Sequence, residues 1–493
     1  MILLNSKDGF ERGDHERKQS TRTLTASHLA QANAHLNLLR HPLAIFTQGA
    51  TRRGFWRYTL RMAKTTRTNT TRRSVKHNGG TPDSTSLLGS ALKVAAVVLA
   101  AAVIIALALP LLPSSNVSSS QAQQSTQSAD GQASSAERVR STSAAAVSFV
   151  AVGDNLPNET IGLYADKKSG SEDDGKYDYT PLFQYVKPYV QAADLAYIDQ
   201  ETHVGGDDLG PAGYPSFNTT DEMADAVVDA GFDFVASATN HSYDWGYFGA
   251  LEHSLAIWEK QPVAFTGTAV TAEQYNRIAT LECNGITFAL LNYTYGVNGY
   301  TQDELPEYAV NFIDKSRISN DVERARAVAD VVLVAMHWGT ENLMEADEEQ
   351  EDLAQFLADL DVDVVLGSHP HVIGPLKWVR NAKGSGHETL VAYSLGNFIA
   401  DHDDPYDKNV LEGMLSCEFV REEGTTNIKI ENIKWTPLIF HSNAARDDFA
   451  VYTLDDYPEK LAKKNRALDD KKDPIKWARE TTEKVVGKEW FQE

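Results

Sequence analysis

VDVVLGSHPH, residues 362–371, is the stretch that decides the fold. Its first six residues are mostly apolar and β-branched, too few for a helix, and they run straight into Ser368-His369-Pro370-His371. A short apolar run closed by turn residues reads as a buried strand. The same event recurs on both sides. VVLVAM (331–336) ends at His337-Trp338-Gly339, and ITFALLNY (286–293) precedes it. FDFVAS (232–237) leads to Thr239-Asn240-His241, and DLAYI (194–198) to Asp199-Gln200-Glu201. VSFVAV (147–152) ends in Gly153-Asp154, and TLVAYS (389–394) runs into Leu395-Gly396-Asn397-Phe398. Between the strands lie amphipathic stretches. TDEMADAVVDA (220–230) opens with acidic residues and stops at Gly231, and another helix is expected over 350–360. Alternation of this kind predicts a layered α/β fold.

Asp154, Glu201, Asn240, His241, His337, His369 and His371 each follow an apolar strand. Ligand sites in open α/β sheets collect beyond the carboxyl ends of strands. One polar residue there is a turn; the same event after five strands is a pattern. The set is imidazole, carboxylate and amide without thiolate, which suits Zn, Mn or Fe(II). It exceeds one zinc and is enough for two divalent ions sharing a carboxylate. On an extended segment His369 and His371 face one side, so both rings reach one cluster. Glu201 has a competitor in Asp199, Glu341 lies close to His337 in sequence, and Asp244 is expected to orient the Asn240-His241 turn. Asn397 is a candidate substrate contact or a plain turn residue. His203, His253, His387, His402 and His441 lack such context and read as structural or solvated. Cys283 and Cys417 either pair or remain free thiols.

The 493-residue chain divides by charge. Residues 1–93 hold 16 Lys and Arg against 5 Asp and Glu, whereas the rest hold 30 against 63. An acidic body repels nucleic acid, which is excluded as a partner. At 42% hydrophobic the chain can build a large core. VAAVVLAAAVIIALALPLL (94–112) has no charged residue and matches the ~30 Å hydrocarbon thickness of a bilayer as a helix. Basic residues crowd its N-terminal side, so the N-terminus is expected in the cytoplasm and the body outside. A cleaved signal peptide is the rival reading. The expected organisation is a basic, largely disordered segment over 1–93, a membrane span over 94–112 and a Ser/Gln/Ala-rich stalk over 113–143. An α/β domain over 144–443 and a charged helical extension over 444–493, packing on the domain, complete it. Met62 opens a stretch that would serve as an alternative start.

Gly153-Asp154, Asp199-Gln200-Glu201, GFDFVASATNHSYDWG (231–246), HWGTE (337–341), GSHPHVIGPLKW (367–378), YSLGNF (393–398) and VYTLDDYPEKLAKKN (451–465), in this order, resemble the CapA family of capsule or poly-γ-glutamate biosynthesis proteins. That family is similar in fold to the calcineurin-like metallophosphoesterases. The resemblance implies a four-layer α/β/β/α metallophosphatase-like sandwich. It implies metal positions at Asp154, Glu201, Asn240, His337, His369 and His371, and a proton-donating role for His241. The chain departs from the family pattern at Asp199, where an Asn is usual, at Asn155-Leu156, and at Gly374, where a Gln is usual.

Three functions compete. One is a membrane-anchored extracellular metallohydrolase acting on a phosphoester or on an amide of a cell-surface polymer. The second is a non-catalytic, polymer-binding component of a capsule assembly or export complex, alongside other capsule synthase subunits. The third is a phosphatase of sugar-phosphate or lipid-linked envelope precursors. Expected partners are poly-γ-glutamate or a capsule precursor, and the membrane.

Overall fold

The structure is a computed structural model and describes residues 140–491, apart from 172–173 and 404–405. The expected segment 1–93, the span 94–112 and the stalk up to residue 139 lie outside the described residues. Among the described residues no helix is long and apolar enough to cross a membrane.

Two mixed sheets carry the fold. The chain begins in the first, with β1 (Ala145–Leu156), β2 (Leu195–Asp199), β3 (Phe234–Ala236) and β4 (Ala264–Thr266), each parallel to the next. It crosses to the second sheet for β5 (Ala279–Cys283), β6 (Ile286–Thr294), β7 (Val331–His337), β8 (Val364–Ser368), β9 (Leu376–Arg380) and β10 (Glu388–Ala392), in the spatial order β5-β6-β7-β8-β10-β9. It then returns for β11 (Asn397–Ala400), β12 (Leu411–Arg421), β13 (Ile428–Ser442) and β14 (Phe449–Thr453). There the order is β14-β13-β12-β1-β2-β3-β4, with β11 paired to the far end of β1.

Period-2 alternation sorts the side chains into three cores. Phe149, Ala151, Tyr197 and Phe234 meet Phe288, Leu290, Leu333 and Leu366 between the sheets. On the outer face of the first sheet, Val150, Val152, Ile198 and Val235 pack on α1 (Glu159–Lys168) and α2 (Glu222–Ala230). On the outer face of the second, Leu291, Val332, Val334 and Val365 pack on α3 (Lys315–Val328) and α4 (Glu348–Ala358). The layers therefore run helix, sheet, sheet, helix. Burial on both faces is why the strands read as continuous apolar runs. Helix α2 ends where the sequence suggests: Gly231 takes φ 106° and its N–H returns to Val227 and Val228.

One expectation changes. The region after residue 443 is not wholly helical, because Leu438–Ser442 pairs with Phe449–Thr453 and β14 becomes the sheet's edge strand. Only then do a short helix over Glu459–Ala462 and α5 (Pro474–Val486) follow, with Ala478 and Val486 in the central core. Cys283 and Cys417 are both free.

Strand β1 changes partner along its length. It pairs with β12 as far as Ala151, then with β11, where Asp154 stands opposite Asn397. Gly153 sits at that change, and a Cβ there would lie 1.8 Å from the Gly396 carbonyl oxygen. Backbone cannot yield as a flexible side chain does. Gly153→Ala is expected to cost about 3 kcal/mol, seen as a lowered denaturant midpoint with an unchanged slope.

Candidate metal centre

Both sheets end their parallel strands at the same place, and the polar residues of the sequence pattern gather there. Asp154 comes from β1, Glu201 from just after β2, and Asn240 and His241 from the turn after β3. His337 closes β7, and His369 and His371 follow β8. Asp154, Glu201, His337, His369 and His371 are all buried.

Glu201 stands between the histidines. Its Oε1 is 3.8 Å from His337 Nε2 and its Oε2 is 3.8 Å from His371 Nδ1. These separations are too long for hydrogen bonds, but they suit two donors sharing an ion with bonds of ~2.1 Å. His371 Nδ1 is 3.3 Å from Asp154 Oδ2 and 3.0 Å from Asn397 Oδ1. His337 Nε2 is 2.9 Å from Asn240 Oδ1, while its Nδ1 is 2.9 Å from Ser368 Oγ and 3.5 Å from Asp199 Oδ2. His337 thus has Nδ1 held by Ser368 and Nε2 facing the site, the usual arrangement of a ligating histidine.

The His369-Pro370-His371 segment is not extended as the sequence reading supposed. His369 has φ 93° and His371 φ 57°. A left-handed kink, rather than strand alternation, brings the rings to 5.8 Å between centroids. Such backbone costs roughly 1–3 kcal/mol per residue and persists where surroundings enforce it. Here the His369 N–H donates to Asp154 Oδ2, and the Asn342 N–H donates to the Pro370 carbonyl.

The charges are poorly compensated. Among the described residues, the ion-pair partners of Asp154, Asp199 and Glu201 are His337 and His371, with no Lys or Arg. Asp154 Oδ1, both Glu201 oxygens and His369 Nδ1 are buried without a hydrogen-bond partner. Burial drives the Glu201 carboxyl well above the usual range, raises Asp154, and lifts Asp199 to about 7. Burial lowers His337 to about 3 and His369 to about 2. Burial would also lower His371, but Glu201 and Asp154 outweigh it and carry the ring to about 10. Buried carboxylates of this kind hold protons or hold cations. Three overlapping groups bring their donors within 4.8 Å of one another: Glu201, His337 and His369; Asp154, Glu201 and His371; Glu341, His369 and His371. The donor set fits a divalent metal site.

His241 is anchored as expected. Its Nδ1 lies 2.7 Å from Asp244 Oδ2, which also accepts from the Phe217 N–H. Its Nε2 is 3.5 Å from Asn298 Nδ2. Where the site turns over a substrate, His241→Ala is expected to lower the rate about 10²–10⁴-fold without changing metal content, as metal analysis alongside kinetics would read.

Asn397 departs from expectation. It is fully buried, and its amide nitrogen donates to the carbonyls of His371 and Asn409 while its oxygen faces His371 Nδ1. These contacts place it against His371. Four residues escaped the sequence reading in whole or part. Asp199 Oδ2 lies 3.5 Å from His337 Nδ1 and belongs to none of the three donor groups. His402 Nε2 lies 3.2 Å from Asn397 Nδ2. Tyr295, half exposed, packs its ring 4.7 Å from that of His369. Glu412, in β12, is fully buried with both oxygens unpartnered.

Known proteins share this arrangement of sequence. The chain is 29% identical over 237 residues to the PGA biosynthesis protein CapA of Bacillus subtilis (strain 168), covering 45% of this chain and 57% of that protein. It is 26% identical over 234 residues to the capsule biosynthesis protein CapA of Bacillus anthracis, covering 46% and 55%. The chain thus spans little more than half the length of either relative. Among solved structures, a novel phosphatase from Mycoplasma pneumoniae aligns over 60% of this chain and 94% of its own, at 12% identity and a TM-score of 0.35, a likeness too loose to bear on site or activity. The family described as bacterial capsule synthesis protein PGA_cap matches residues 148–402, more than half of the sequence, and this chain belongs to that family.

Proposed function

We propose that this protein is a metal-dependent hydrolase of capsule or poly-γ-glutamate synthesis, with a metallophosphatase-like site that cleaves a phosphoester or a polymer amide bond. The reading rests above all on Glu201, a buried carboxylate with unpartnered oxygens, one facing His337 and the other His371. In this reading Asp154, Glu201, Asn240, His337, His369 and His371 would hold two divalent ions, Mn, Zn or Fe, which when bound would supply Lewis-acid polarisation of the scissile group. The protein does the rest. Ser368 holds the His337 ring, and Asn397 holds that of His371. Asp244 fixes His241 through Nδ1, leaving Nε2, beside Asn298, as the nitrogen that would protonate the leaving group. The segment 94–112 anchors the chain in the cell membrane by a single pass, with the N-terminus in the cytoplasm and the body outside.

Full-length protein, stripped of metal and reloaded, should hydrolyse an aryl phosphate ester or poly-γ-glutamate only when loaded. A loaded protein inert on both, together with loss of surface polymer in a deletion strain, would favour the non-catalytic assembly role instead. Charge adds a separate expectation. The 400 residues after 93 carry 63 acidic and 30 basic side chains, so a polyanion is repelled at range. Binding of poly-γ-glutamate should strengthen as salt rises from about 20 to 200 mM, where screening takes hold; weakening with salt would contradict it.

A further inference from the structure

Glu341 lies outside the ligand set drawn from strand ends, because it sits four residues past His337 in a loop. That loop is fastened directly to the histidine segment. Gly339 takes φ 87° and Asn342 φ 65°, which turns the backbone back on itself. The Asn342 N–H donates to the Pro370 carbonyl at 2.8 Å, and the Asn342 side-chain oxygen accepts from Asn409 Nδ2 at 3.1 Å. Asn409 in turn donates to the His371 carbonyl at 2.8 Å. Glu341 is therefore carried by the same strap that kinks His369 and His371. A carboxylate oxygen of Glu341 and a ring nitrogen from each of His369 and His371 lie within 4.8 Å of one another. His369 is 3% exposed, and its Nδ1 has no hydrogen-bond partner.

We infer that Glu341 is a further, solvent-side ligand of the cation site, reaching over His369 and His371. This rests on the metal-binding reading above and extends it. The two carboxylates then have unlike duties. Glu201 is buried, has no access to water and holds its place through the fold. Glu341 is exposed, so it exchanges a cation for water at little cost, and an entering substrate oxygen can take its place. The acidic side chain also faces any anionic substrate at the mouth.

The test is a Mn²⁺ titration of the metal-stripped full-length chain, comparing wild type with Glu341→Gln and with Glu345→Gln. Glu345 is exposed on the same connection but belongs to none of the three donor groups. Glutamine keeps the size of the side chain and removes its charge. Glu341→Gln should bind Mn²⁺ about tenfold more weakly or more, in line with the cost of losing a group that supports a metal, or should retain fewer ions after gel filtration. Glu345→Gln should match wild type. Unchanged thermal unfolding of the stripped variants would show that the fold is intact. Wild-type affinity and stoichiometry in Glu341→Gln would overturn the assignment while leaving the deeper site standing. A wild-type chain that binds no Mn²⁺, Zn²⁺ or Fe²⁺ would overturn the deeper reading and this one with it.

Discussion

His371→Ala is expected to abolish both metal retention and turnover, with a rate loss of at least about 10³-fold. The ring faces Asp154, Glu201 and Asn397, and truncation would leave all three without it. Kinetics on reloaded protein and metal analysis after desalting should fall together. Asn397→Ala should be milder, about 10–100-fold in metal affinity, because it removes the support and leaves the ligand. Equal losses in both variants would mean that Asn397 acts on substrate after all. Turnover that survives His371→Ala would remove the proposed chemistry from this site.

The second large effect is the coupling of stability, metal and pH. Without metal, His371 is stabilised in its protonated form, its pKa lying near 10 rather than 6.5. That contribution is complete below about pH 6.5 and disappears as pH rises through about 10. Asp199 acts in the same sense, its stabilisation lost as pH rises from about 4 through about 7. Metal-free protein should therefore become less stable between pH 7 and 9. Metal ligands must shed these protons, so affinity rises over the same interval. A thousandfold excess of metal over its dissociation constant adds about 4 kcal/mol. Melting curves at pH 6.5, 7.5 and 9, with and without Mn²⁺, should diverge as pH rises. Metal-free stability that climbs with pH would contradict the ionisation pattern.

The strands that carry the site were legible because they are buried on both faces and so are written as unbroken apolar runs. Asp154, Glu201, Asn240, His337, His369 and His371 were legible for the same reason, since each interrupts such a run at its carboxyl end. The remainder depends on partners distant in sequence. Asn397 reads as a turn residue until β11 is laid against β1 and its amide meets His371. His402 follows β11, and the approach of the His371 ring, 5.6 Å away between centroids, places it beside the cluster. Glu412 lies inside a strand and gives no positional signal. The conformations of His369 and His371 arise from the loop at Asn342 and from Asp154, neither of which is local to them. The edge strand β14 was missed because the charged region after residue 453 dominates the composition around it.

Anomalous diffraction from crystals grown with Mn²⁺, recorded on both sides of the manganese edge, is the most direct test of the site. The account expects two peaks flanking Glu201, one beside His337 and His369 and the other beside Asp154 and His371. A map in which occupied crystals place manganese elsewhere, with Glu201 hydrogen-bonded to ordered water and no peak beside it, would contradict it.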